Sequence, residues 1–152
     1  MNIQWELKRF DELTGAQMYA ILQVRSLVFV VEQNCAYHDM DDKDQHSWHL
    51  MGWSEDGRLA AYTRLVPAGL SFTEHSIGRV ITAPIARGHQ AGVELVRRSI
   101  DAIYNIWGKV PIRIGAQLYL KRFYEKAGFQ QVSKIFLEDG IEHIEMLLSP
   151  AK

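Results

Sequence analysis

From Ile77 to Trp107 the chain reads IGRVITAPIARGHQAGVELVRRSIDAIYNIW, a pattern of strand, turn and helix. The β-branched run Val80–Thr82 favours an extended backbone, and Pro84 has no N–H to donate to a sheet, so the strand should end just before it. Beyond Gly88, apolar residues recur at steps of three and four, the period of a helix that buries one face. The residues on that predicted face are Val93, Val96, Ile100, Ile103 and Trp107.

The turn between this strand and this helix has residues that suit an anion. It consists of Arg87, Gly88, His89, Gln90, Ala91 and Gly92. A helix N-terminus leaves amide N–H groups unpaired and carries partial positive charge, so it can bind a phosphate, and Arg87 would add a permanent cation. The residues alone favour a turn that merely starts a helix and leaves its arginine in solvent, because short glycine motifs recur by chance.

The segment Val80–Pro84, followed by Arg87, Gly88 and Gly92, resembles the acetyl-CoA-binding segment of the GNAT family of N-acetyltransferases. That family's loop is usually Gln/Arg-x-x-Gly-x-Gly/Ala. Arg87 and Gly92 fill its first and last places, whereas Gln90 stands where the middle glycine is expected. A backbone amide at position 90 could still donate to a pyrophosphate.

Two further stretches extend the resemblance over nearly the whole chain. Gln117–Phe129 is similar to the family's Asn-x-x-Ala-x-x-x-Tyr-Glu-Lys-x-Gly-Phe segment, with Gln117 replacing Asn and Leu120 replacing Ala. The stretch Arg25–Tyr37, the acidic run after it and the ending Glu138–Ile144 resemble the ElaA-like proteins within that superfamily.

The resemblance implies the GNAT acyl-CoA N-acyltransferase fold, an α/β (α+β) domain with a mixed central β-sheet flanked by helices, over residues 1–152. The order of elements suits this fold, with a parallel strand–helix–strand unit between two hairpins. Thr14 is a predicted N-cap. The apolar run Leu27–Cys35 fits a helix or a strand by propensity, and the resemblance favours a helix. The remaining predicted elements are a first strand around Ile3–Leu7, hairpin strands His49–Trp53 and Leu59–Val66, a strand Val110–Ala116, a short helix Leu118–Lys126, and hairpin strands Gln131–Leu137 and Ile141–Leu148.

The composition of the chain limits the classes of protein to which it can belong. A chain of 152 residues with 17 basic and 18 acidic residues has a formal net charge of -1, so no basic excess argues for nucleic acid as the main partner. One cysteine, Cys35, provides neither an intrachain disulfide nor a CxxC metal site, and no metal is expected. No secretory signal and no apolar run long enough to cross a membrane is visible, so a cytoplasmic setting is expected.

In the interpretation that the resemblance implies, the pantetheine arm of acetyl-CoA lies along Val80, Ile81 and Thr82 and needs a second strand splayed away from them. Backbone groups of the strand would pair with its amides as a neighbouring strand would. The implied cofactor-binding residues are Val80, Ile81, Thr82, Arg87, Gly88, His89, Gln90, Ala91, Gly92, Val93, Gln117 and Tyr124.

The predicted chemistry needs an acid and a base. The Tyr124 phenol is the candidate acid for the departing thiolate, unless it is a core tyrosine. Glu32, His49 and His143 are the candidate bases for a protonated amine. Glu32 is favoured because the resemblance places it near the acyl end, and because a carboxylate amid Phe29, Val30 and Val31 would have a raised pKa. Alternatively, Glu32 could pair with Arg25 or Arg64, and the two histidines could be hydrogen-bonded strand residues. Arg79 could be structural and anchor an acidic side chain.

An acidic, histidine-bearing loop follows the apolar run. It carries Asp39, Asp41, Asp42 and Asp44 together with His38, His46 and His49. It could form an electrostatic collar for a cationic amine, hold a divalent cation despite a spacing unlike that of an EF-hand, or be a solvated surface loop.

The sequence therefore predicts an N-acetyltransferase that moves an acetyl group from acetyl-CoA to a primary amine of a small molecule or a peptide by direct attack. One alternative is a non-catalytic acyl-CoA-binding module, which Gln90 keeps open. Another is an acyl-homoserine-lactone synthase, which the Arg25–Glu32 stretch resembles more distantly, although the chain is short for that group. A homodimer is expected, since the last strand carries apolar residues that could pair with a second subunit.

Overall fold

The computed structural model describes residues 1–150. Its strands are β1 Gln4–Arg9, β2 Trp48–Trp53, β3 Leu59–Val66, β4 Ser76–Thr82, β5 Ile112–Gln117, β6 Gln130–Gln131, β7 Phe136–Glu138 and β8 Ile141–Leu148, and its α-helices are α1 Gly15–Arg25, α2 Ala91–Trp107 and α3 Lys121–Lys126. Strands β1, β2, β3 and β4 form one antiparallel ladder in that order. In the second ladder β5, β6 and β7 all pair with β8. No helix within residues 1–150 combines the length and the apolar character needed to cross a membrane.

Strand β3 is the centre of the fold because all eight of its residues are buried. Tyr62 belongs to the apolar cluster that α1 covers with Ile21, whereas Ala61 packs with Leu95 of α2. The two helices therefore cover opposite faces of the first ladder, as expected for strands that are apolar on both sides. A hydrogen bond of 2.7 Å between Thr63 Oγ1 and Ser99 Oγ ties α2 to the strand.

The predicted strand and helix around residue 87 are confirmed, with one error in the buried face of α2. Val96 and Ile103 are buried as predicted, but Val93 is 58% exposed. Val93 lies in the first turn, and the face against the sheet is centred on Leu95 and Ala102 instead. The prediction was wrong because apolar spacing near a helix end does not show where the neighbouring sheet stops.

The segment between α1 and the acidic loop is helical, as the resemblance favoured. Thr14 caps α1 as predicted, since its Oγ1 accepts the Gln17 N–H at 3.1 Å. After Arg25 the helix continues as a π-helix over Ser26–Glu32. A π-helical turn is wider than an α-helical turn and occurs often at functional sites.

The predicted strand Gln131–Leu137 is wrong as a continuous strand. It is divided into β6 and β7, which are both exposed. Between them the Ser133 hydroxyl accepts the Glu145 N–H at 2.8 Å and donates to the Lys134 carbonyl at 2.9 Å. A side-chain oxygen thus takes the place of a backbone acceptor, so the regular ladder is interrupted.

Two predicted boundaries also shift. Strand β5 begins at Ile112, two residues after the predicted start at Val110, because Pro111 has no N–H for the ladder. The predicted helix Leu118–Lys126 begins with a 3-10 turn, Leu118–Leu120, before α3.

Candidate active site

A cleft opens where β4 and β5 separate. The two strands meet at a single parallel bridge between His75 and Ile112, next to which the Arg113 N–H donates to the His75 carbonyl at 2.9 Å. Beyond this bridge they diverge around a cavity of about 750 Å³, lined by Ile77–Thr82 on one side and Ile114–Gln117 on the other. Its volume is in the range of ordinary small-ligand sites, about 300–1,000 Å³.

The β4 wall of the cleft carries a bulge at Arg79. Tyr62 pairs with Ile81 and Arg64 with Gly78, so Arg79 and Val80 together face one residue of β3. Arg79 has φ of 51°, which a residue with a side chain rarely adopts. A bulge disrupts the ladder locally and leaves its extra residue unpaired, so backbone groups become available beside the cleft.

One end of the cleft reaches the N-terminus of α2. The first hydrogen bond of this helix runs from the Glu94 N–H to the Gln90 carbonyl, so the three preceding amide N–H groups have no partner within the helix. Gly92 lines the cavity, and a Cβ there would lie 3.5 Å from both Thr82 Oγ1 and the Phe123 ring. This end of the cleft therefore suits an anionic group.

Gln90, which stands where the family's loop usually has a glycine, has a left-handed backbone conformation. It is the N-cap of α2 with φ of 57°, and its side chain makes no capping hydrogen bond. The left-handed turn is thus made without a glycine at that position. A residue with a Cβ destabilises this turn by about 1–2 kcal/mol relative to glycine.

We expect Gln90→Gly to raise the free energy of unfolding by up to about 1 kcal/mol, because the relief of strain exceeds the added entropy of the unfolded chain. Gln90→Val should lower it by about 1 kcal/mol, since a β-branched side chain fits the left-handed region worse. Urea denaturation of both variants measures the difference. Equal destabilisation by both would contradict the assigned backbone conformation.

Tyr124 projects from α3 into the cleft. Its side chain lines the cavity and is only 6% exposed, with its ring edge-on to Phe123 and Phe129. Burial raises the pKa of Tyr124 above its ordinary value of 10.0, because the charged phenolate is poorly solvated there. The phenol therefore keeps its proton at neutral and mildly alkaline pH.

His143 of β8 lies on the wall of the same cavity. Its Nδ1 is 2.7 Å from the Ile141 carbonyl, which can only accept, so Nδ1 carries the proton when the ring is neutral. Its Nε2 is then unprotonated and lies 3.5 Å from a Glu138 carboxylate oxygen. This tautomer leaves a basic nitrogen at the cavity.

His49 does not line the cavity, although the sequence made it a candidate base. It is fully buried in β2, where Nε2 lies 3.0 Å from the Asp44 carbonyl and Nδ1 lies 2.7 Å from the Tyr62 hydroxyl. Burial lowers the pKa of His49 in spite of the nearby Asp44 carboxylate. Both ring nitrogens are occupied, so His49 is a hydrogen-bonded residue of the core.

Glu32 lines the cavity, but the predicted increase in its pKa is wrong. The carboxylate is paired with Arg87, whose two terminal nitrogens lie 2.7 and 3.2 Å from its oxygens. Hydrogen bonds from Arg87 lower the pKa of Glu32 below its ordinary value of 4.5. The alternative pairing of Glu32 with Arg25 or Arg64 is also wrong, because both arginines pair with aspartates of the acidic loop.

The acidic loop belongs to a closed cycle of alternating charges, here named the charge ring. Each arginine in it binds two aspartates and each aspartate binds two arginines at distances of 2.7–3.3 Å. The order around the ring is Arg25, Asp39, Arg79, Asp41, Arg64 and Asp44. These ion pairs contradict both a collar of free carboxylates and a merely solvated loop, and they confirm that Arg79 anchors an acidic side chain.

The charge ring joins α1, β3 and the β4 bulge to the loop. Arg25 is fully buried, and Asp39 and Asp44 are 8% and 7% exposed. Sequence analysis recognised the six residues individually but missed their association, because the partners are separated by 14–40 positions along the chain. Among residues 1–150, no group of three His, Cys, Asp or Glu side chains is arranged to hold a metal ion.

Comparison with known proteins agrees with this geometry. Residues 16–150 match the family model described as an acetyltransferase (GNAT) domain. The chain belongs to the GNAT acetyltransferase family. Protein ElaA of Escherichia coli is 39% identical over 146 residues, which cover 95% of each chain. A UPF0039 protein of Synechocystis is 40% identical over 147 residues, which cover 97% of this chain and 96% of that protein.

Solved structures also show the GNAT fold. An acyl-CoA N-acyltransferase from Pseudomonas aeruginosa superposes with a TM-score of 0.92 at 37% identity, covering 97% of this chain and 100% of that chain. The crystal structure of Escherichia coli ElaA superposes with a TM-score of 0.91, with the same identity and coverage. The predicted GNAT fold and its ElaA-like branch are therefore confirmed, and acyl transfer is the chemistry of the family.

GNAT enzymes generally use an acyl-CoA as co-substrate, and the chain's residues can be compared with that requirement. Of the residues implied to bind it, Val80, Ile81, Thr82, Arg87, Gly92, Gln117 and Tyr124 line the cavity. Gly88, His89, Gln90, Ala91 and Val93 shape the turn and the first turn of α2 without lining it. The splayed strands, the free helix N-terminus and a protonated phenol in one cleft fit such a co-substrate.

Proposed function

We propose that the protein transfers an acetyl group from acetyl-CoA to a primary amine within the cleft between β4 and β5. The observation that carries the proposal is the continuity of this cleft, which connects the N-terminus of α2 with the side chains of Tyr124 and His143. An anion-binding end and an acid–base pair thus share one cavity, as direct transfer requires.

The backbone of β4 and the loop before α2 hold the co-substrate in this proposal. Val80–Thr82 pair with the pantetheine amides in the manner of an added strand. The pyrophosphate lies at the α2 N-terminus, where unpaired amides and the helix dipole favour negative charge. Arg87 adds a cation at the same end.

His143 is the base in this proposal, because its Nε2 is unprotonated in the neutral ring and its side chain lines the cavity. It takes one proton from the ammonium form of the acceptor. The neutral amine nitrogen then forms a bond to the thioester carbonyl carbon, and the carbon–sulfur bond breaks. Tyr124 donates its proton to the departing thiolate and is restored by the second proton that the nitrogen loses as the amide forms.

We expect Gly92→Asp to weaken acetyl-CoA binding by a factor of about ten or more, because it places a carboxylate beside the proposed pyrophosphate position. An aspartate in the first turn also favours the helix, so the variant should remain folded. Gly92→Asn is the matched control, since it has nearly the same shape without the charge. Calorimetric titration with acetyl-CoA measures both variants.

A folded parent protein that binds no acetyl-CoA would refute the proposed function. Equal affinity of Gly92→Asp and Gly92→Asn for acetyl-CoA would show that the N-terminus of α2 is not part of the binding site. Saturable binding without turnover of any amine in a broad panel would favour a CoA-binding module.

A further inference from the structure

Two polar contacts cross the mouth of the cleft from the end of the π-helix. Glu32 is paired with Arg87, which follows β4, and Gln33 accepts a hydrogen bond of 3.3 Å from Gln117 at the end of β5. All four residues line the cavity. Residues 32 and 33 therefore form a strap between the two strands that the proposed co-substrate separates.

Glu32 and Thr82 together engage three of the five N–H groups of the Arg87 side chain. Its terminal nitrogens donate to the Glu32 carboxylate at 3.2 and 2.7 Å, and its Nε donates to the Thr82 carbonyl at 3.1 Å. While the pair persists, the two donors held by Glu32 are not available to a pyrophosphate at the adjacent α2 N-terminus. Glu32 thus occupies Arg87 with an internal anion before any ligand arrives.

Exchanging Glu32 for a ligand as the partner of Arg87 costs little free energy, because both side chains of the pair remain accessible to water. The Arg87 and Glu32 side chains are 47% and 33% exposed, and exposed pairs contribute only weakly to stability. A pyrophosphate carries more negative charge than one carboxylate and gains the amides of the helix in addition. It can therefore displace Glu32 from the guanidinium.

We propose that Glu32 is a competitive internal ligand of Arg87, and that co-substrate binding transfers Arg87 from Glu32 to the pyrophosphate and opens the strap. This inference rests on the proposed function, because it assumes a CoA pyrophosphate at the α2 N-terminus. The freed Glu32 carboxylate then lies in the cavity without a cation.

The test is a double-mutant cycle with CoA and pantetheine as ligands, measured by calorimetry. Glu32→Gln should tighten CoA binding by about two- to fivefold, because it removes the competitor of an exposed pair. It should leave pantetheine binding unchanged, since pantetheine lacks the pyrophosphate. In the Arg87→Gln background, Glu32→Gln should have no effect on CoA binding, because the competition acts through Arg87.

The matched control is Glu138→Gln, which removes another negative charge from the wall of the same cavity without touching Arg87. Tighter CoA binding in this control, or a persistent effect of Glu32→Gln in the Arg87→Gln background, would show general repulsion and overturn the inference. Unchanged or weaker CoA binding by Glu32→Gln would overturn it too, while leaving the proposed function intact. A parent protein that binds no CoA would overturn both.

Discussion

Replacing Tyr124 by phenylalanine is expected to lower kcat by about 10²- to 10⁴-fold, the usual contribution of a positioned general acid. The hydroxyl lies in the cleft on a side chain that is 6% exposed, and burial raises its pKa, so it is a proton donor at the pH of the assay. The phenyl ring keeps the edge-on contacts with Phe123 and Phe129. The dissociation constant of acetyl-CoA should therefore change little.

Release of the CoA thiol in the presence of a panel of primary amines measures this loss. Tyr104→Phe is the matched control, because Tyr104 is a partly buried tyrosine of α2 whose pKa is also raised by burial, and it does not line the cavity. Since the pKa of Tyr124 lies above 10.0, its phenol stays protonated up to that pH, and the Tyr124→Phe defect should be constant between pH 7 and 9. Full activity of Tyr124→Phe would remove this residue from the mechanism.

Arg25→Met is expected to lower the free energy of unfolding by about 3–5 kcal/mol, because it leaves two buried carboxylates without one of their cations. Arg25 is fully buried and donates to Asp39 and Asp44 at 2.7 Å each. Methionine retains most of the side-chain volume, so the loss comes mainly from the charge. Urea denaturation at pH 7 measures it.

The effect of Arg25→Met should decrease in acid. Burial alone would raise the pKa of Asp44, but hydrogen bonds and charge from Arg25 and Arg64 lower it below its ordinary value of 3.8. A depressed carboxyl pKa stabilises the fold above the unfolded-state value and loses that contribution as the pH falls through it. The parent should therefore lose stability below about pH 4. The difference in free energy of unfolding between the parent and Arg25→Met should become smaller there. A constant difference, or a loss under 1 kcal/mol at pH 7, would contradict the buried ion pairs.

The sequence predicted most of the fold because the decisive signals are local. The run Val80–Thr82, Pro84 and the helical spacing after Gly88 lie within one strand–helix unit, so propensity and periodicity suffice to place it. The error at Val93 and the broken strand around Ser133 have another origin. Both depend on a neighbouring element. Val93 is exposed because the sheet ends before it, and the strand is interrupted because the Glu145 N–H donates to the Ser133 hydroxyl.

The sequence predicted which residues line the candidate site better than it predicted which of them form pairs. Tyr124, which the resemblance implied, and His143, which was one of three candidate bases, both line the cavity. The partner of Glu32 is 55 positions away in the loop before α2, and no spacing rule connects such residues. The left-handed conformations of Arg79 and Gln90 were equally hidden, because a positive φ is expected at glycine and, less often, at Asn or Asp, but not at Arg or Gln.

The charge ring has a consequence for how relatives of this protein can diverge. Its three cations and three anions cancel, and every member has two neighbours of opposite sign. A single replacement at any of the six positions leaves a surplus charge among buried or partly buried side chains, so an isolated change should destabilise the fold. Descendant sequences should thus keep all six residues or exchange them in compensating pairs, and the covariation of these positions would record the ring without any structure.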